Sequence, residues 1–136
     1  MANYKIEDVE GIGEVIGKKF REAGIKDTDG LLAACATSAQ RKELAEKTGL
    51  SEKQILKFAN MVDLYRIHGI GSEYAELLEA AGVDTVPELA RRNPVNLAKT
   101  LAEVNEAKKL TRRVPSETEV AKWIEQAKTL PRVLEY

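Results

Sequence analysis

Two short stretches of this 136-residue chain hold residue types at a spacing that suits an anion: Val9-Glu10-Gly11-Ile12-Gly13 and Ile67-His68-Gly69-Ile70-Gly71. In each, two glycines flank one isoleucine just ahead of a segment with helical periodicity. Glycine accepts positive φ and lets another part of the chain approach closely, so the pair suits a very tight turn. Ile12 or Ile70, between them, can point inward and staple the flanking segments together. The first amides of the helix that follows have no partner within the helix. Pointing outward and aided by the helix dipole, they suit a phosphate oxygen.

Other site chemistry is poorly supplied. One histidine and one cysteine cannot build a zinc site of the usual kind, and no acid–base constellation stands out. The expectation is a non-enzyme with no metal and no cofactor. Cys35 lies in the apolar run Leu31-Leu32-Ala33-Ala34-Cys35-Ala36 and reads as a small core residue. A lone cysteine forbids an internal disulfide and fits a reducing, cytoplasmic setting. His68 reads as an exposed turn residue and Trp123 as core. Gly11-Ile12-Gly13-x-x-x-Gly17 also matches a nucleotide-binding glycine loop, but no strand precedes it.

The elements that would position the turns form a repeat. A shift of 58 residues lays Gly11-Ile12-Gly13 on Gly69-Ile70-Gly71, Gly17 on Ala75, Phe20 on Leu78, Ala23-Gly24-Ile25 on Ala81-Gly82-Val83, and Leu31 on Leu89. Ser51-x-x-Gln54 then matches Ser116-x-x-Glu119 at a longer shift, so the second copy carries an insertion of about seven residues. These serines and Thr85-x-x-Glu88 are capping-box patterns, and Asn93-Pro94 is a helix start. Gly24 and Gly82 stand where helices should stop. Apolar residues at Ile55, Phe58, Val62 and Tyr65 give a helix over about 51–67 a broad buried stripe. Nothing alternates as a strand would. The reading is all-α, about nine short helices in two units, residues 1–63 and 64–136, which share the helix at 51–67 and pack as one compact domain. Hydrophobic residues at 43% and charged residues at 32% suit a soluble globular chain. No apolar run reaches the roughly 18 residues of a membrane span, and the N-terminus shows no secretory pattern.

The spacing Leu64-x-x-Ile67-x-Gly69-Ile70-Gly71-x-x-x-Ala75-x-x-Leu78, repeated as Ile6-x-x-Val9-x-Gly11-Ile12-Gly13-x-x-x-Gly17-x-x-Phe20, resembles the helix-hairpin-helix motif. The whole chain is similar to a bacterial tandem helix-hairpin-helix family of unassigned function. The resemblance implies a platform that grips the backbone of DNA without reading its sequence. On that basis the nucleic-acid-binding residues are Gly11, Ile12, Gly13, Lys18 and Lys19 in the first unit. Gly69, Ile70 and Gly71 join them from the second turn.

Charge divides along the chain, although the net value is only −1. From Gly69 to Ala90 there are five acids (Glu73, Glu76, Glu79, Asp84, Glu88) and no Lys or Arg, which works against a polyanion at the second turn. From Arg91 to Arg113 seven bases face two acids. The densest cluster, Lys108, Lys109, Arg112 and Arg113, completes the expected nucleic-acid site. The same opposed segments also suit a protein-interaction adaptor or a self-associating chain, in which complementary faces dock and DNA is ignored.

Overall fold

Side-chain caps decide where most of the helices begin. Asp27 caps α2 (Thr28–Ala34), Thr37 caps α3 (Ser38–Thr48) and the Ser51 hydroxyl accepts from the Gln54 amide at the start of α4 (Glu52–Leu64). Thr85 caps α6 (Val86–Ala90), Asn93 caps α7 (Pro94–Lys108) and Ser116 caps α8 (Glu117–Thr129). Each satisfies an amide that the helix itself leaves unpaired. The remaining two helices, α1 (Gly13–Glu22) and α5 (Ser72–Ala80), follow the glycine turns and have no side-chain cap. The computed structural model describes residues 3–135, and the expected unit ends Met1, Ala2 and Tyr136 lie outside it. Among the described residues there are eight α-helices, one 3₁₀ turn at Ile6–Asp8 and no strand beyond an isolated bridge between Lys5 and Asp27. No helix among them is long and apolar enough to cross a membrane.

The chain divides into two compact units. One holds residues 3–63 with 132–135, and the other Leu64–Pro131. In the first, Ile6, Phe20, Leu31, Cys35 and Ile55 are fully buried, and Phe20 meets the Phe58 ring edge-on at 6.2 Å. In the second, α8 packs on α6 and α7 around Leu77, Leu78, Leu89, Leu101, Val120 and Ile124. Each such side chain stabilises the fold by about 1.5–3 kcal/mol relative to exposure.

Backbone hydrogen bonds recur at the offset of 58. Val9 N–H donates to Ile6 O and Ile12 N–H to Val9 O; Ile67 N–H donates to Leu64 O and Ile70 N–H to Ile67 O. Past the next helix, Ile25 N–H bonds Phe20 O and Val83 N–H bonds Leu78 O, both at 2.8 Å. The helix expected over 51–67 stops at Leu64, because these three-residue bonds turn the chain so that Ile67 and Ile70 both reach the core. The second unit's extra length is also placed. α7 is 15 residues against 11 in α3, and the connection from α7 to the Ser116 cap is five residues longer than that from α3 to Ser51.

A buried arginine closes the first unit. Arg41 Nη1 donates to the carbonyls of Cys35 (2.8 Å) and Ala36 (3.3 Å), and its Nη2 to that of Glu135 (2.6 Å). Glu135 N–H returns a bond to Ala36 O, and Leu134 is buried beside it. Burial pushes the Cys35 thiol up to about 12, outweighing the opposing charge of Arg41, so it stays protonated.

Candidate nucleic-acid interface

In the first turn, Gly11 (φ +90°) and Gly13 (φ +63°) are both left-handed. In the second only Gly69 (φ +97°) is. Gly71 is extended at φ −106°, a conformation open to any residue, so the expectation that both glycines supply positive φ holds in one turn and not in the other. An aromatic ring lies over the first glycine of each turn. A Cβ on Gly11 would stand 3.5 Å from Phe58, and one on Gly69 only 2.9 Å from Trp123 Nε1. Phe58 and Trp123 occupy matching places in α4 and α8, and both are buried. Ile12 and Ile70 are buried as well, so a ligand at these positions would meet backbone and not side chain.

Lys18 and Lys19 are exposed on α1, in the same unit as Gly11–Gly13. The second turn is gripped by α8: His68 N–H donates to Gln126 Oε1 (2.8 Å) and Gln126 Nε2 to His68 O (3.2 Å). Tyr74, in the first turn of α5, lies against Trp123 with ring centroids 5.2 Å apart. Its hydroxyl donates to the Arg113 carbonyl at 3.3 Å. That contact ties the 109–116 loop to the helix that leaves the second glycine turn, a placement the sequence did not indicate.

The bases of the cluster have different employments. Arg113 forms a two-pronged pair with Glu119 at 2.6 and 2.8 Å. The guanidinium holds the Glu119 carboxyl down at about 2, helped by the Ser116 amide, and the Arg113 pKa moves up in turn. Arg91 and Arg92 pair with Glu88, which removes part of both the acidic and the basic segment. Lys108, Lys109 and Arg112 are exposed and make no ion pair among the described residues.

The arrangement defines an all-α chain of two units, each with a glycine turn feeding a helix that starts without a side-chain cap. The chain belongs to the family described as domain of unknown function DUF4332, which it matches over residues 10–130, including both turns and all of α8. No curated protein and no solved structure matches it.

Proposed function

We propose that this protein is a non-catalytic nucleic-acid-binding module that holds the phosphate backbone without reading sequence, and that its two units are tandem helix-hairpin-helix elements. The observation that carries this reading is the distribution of caps. Six α-helices open on a side chain that accepts from their own first turn, and the two that follow the glycine turns do not. Amides at such starts suit phosphate oxygens. Exposed Lys18 and Lys19, with Lys108, Lys109 and Arg112, supply the cations that backbone binding requires. The test is fluorescence anisotropy of labelled duplex and single-stranded DNA at about 50 and 200 mM salt. Binding at the lower salt that weakens steeply at the higher is expected, with little change between unrelated sequences. Failure of both DNAs to bind at low salt would overturn the reading and leave a protein partner as the better one.

A further inference from the structure

Helices α3 and α7 both end in the left-handed conformation, but on different residues. The first ends on Gly49 at φ +75°, the second on Lys109 at φ +52°. Lys109 has the one positive φ outside glycine among the described residues. A Cβ disfavours that conformation, and it persists only where the surroundings hold it. Here they do. The buried Asn105 side chain takes the Thr111 N–H (2.9 Å) and donates to the Thr111 carbonyl (3.1 Å). Thr111 Oγ1 donates to Arg113 O, the Arg113 guanidinium is fixed on Glu119, and Tyr74 holds the same carbonyl. One base of the cluster is thus consumed in pinning a loop that the first unit lacks, and three others, on that loop and the end of α7, are exposed without an ion pair among the described residues.

We propose that loop 109–116 with the end of α7 is a preformed phosphate-binding arm, in which Lys108, Lys109 and Arg112 each contact the backbone of a nucleic acid. The inference rests on the nucleic-acid reading above and assigns the larger electrostatic share to the second unit, ahead of Lys18 and Lys19. A pinned loop loses little freedom on binding, so its charges act at small ordering cost. Three cations on three phosphates account for roughly 2–3 units of salt slope on duplex DNA.

The discriminating variant is Lys109→Gly, because glycine suits the left-handed site while removing the charge. Full-length variant and wild type are compared by urea unfolding and by anisotropy on duplex DNA. Lys109→Gly keeps or raises stability, yet weakens binding at about 50 mM salt by about two- to fivefold. The triple variant Lys108→Glu/Lys109→Glu/Arg112→Glu weakens it at least about tenfold and flattens the salt slope by about 2–3, whereas Lys18→Glu/Lys19→Glu costs less than about threefold. Wild-type binding that the loop variants leave intact would overturn the arm and spare the module reading. Wild type that binds neither duplex nor single-stranded DNA at about 50 mM would overturn both.

Discussion

At the first glycine turn the brace is ionic: Glu7, in the 3₁₀ turn, takes two bonds from Arg21 of α1, through Nε and, at 2.7 Å, through Nη2. At the second, the position 58 residues on from Glu7 is Tyr65, whose hydroxyl meets that of Ser72 at 2.6 Å. Gln126 and Trp123 of α8 add a pair of amide bonds and a ring over Gly69. The change propagates into the helix. A Cβ on Gly17 would stand 2.8 Å from Glu7 Cγ, while the equivalent position in α5 accepts the methyl of Ala75. One pattern of short-range backbone bonds can therefore be held by an ion pair in one place and by hydroxyl and amide contacts in another. The two turns should then answer differently to substitution, and to acid.

The largest contrast is steric. Gly69→Ala combines a forbidden backbone region with a Cβ 2.9 Å from Trp123, and should cost about 2–4 kcal/mol in urea unfolding. Gly11→Ala meets Phe58 only at contact distance, so backbone strain dominates and about 1–2 kcal/mol is expected. An equal or reversed order would break the comparison. Next in size is Gln126→Leu, which strips two hydrogen bonds from His68 and should cost about 1–2 kcal/mol. The first unit has Met61 at the matching position, so Met61→Leu should change stability far less.

The smallest effect is acid sensitivity. The Arg21 guanidinium, followed by the backbone near Glu7 itself, holds the Glu7 carboxyl at about 2 against an ordinary 4.5. A depressed carboxylate contributes stability that is complete above its unfolded pKa and is lost as pH falls toward the folded one. The difference in urea midpoint between wild type and Glu7→Gln should thus be constant above about pH 5 and shrink between 4.5 and about 2. A difference that does not narrow across that interval would mean the first turn is not held by charge.

Much of the frame was legible because it is local. Gly24 and Gly82 stop helices, and Ser51 and Ser116 start them, through bonds that span three or four residues. The repeat at 58 likewise copied a pattern of short-range bonds. What escaped the sequence depends on distant partners or on competition between like neighbours. Arg41 carries no sequence mark of burial, because one of the carbonyls that hold it lies 94 residues away. Arg112 and Arg113 are adjacent and chemically alike, and only the position of Glu119 decides which one is fixed. Thr37-x-x-Gln40 is a cap signature within reach of the sequence, but α3 carries so few apolar residues that its start is masked. Tyr74 has no sequence mark of its tie to the loop, because α5 and residue 113 are joined only by folding.

The bonds between Arg41, Ala36 and Glu135 carry a consequence for vectorial synthesis. The first unit is made in two instalments, with the 68 residues of Leu64–Pro131 translated between them. At about 5–20 residues per second, that interval lasts roughly 3–14 s. During it the Arg41 guanidinium has the carbonyls of Cys35 and Ala36 but not that of Glu135, and the site of Leu134 is empty. On the ribosome the first unit therefore waits, unsealed, until residues 132–135 emerge and close it.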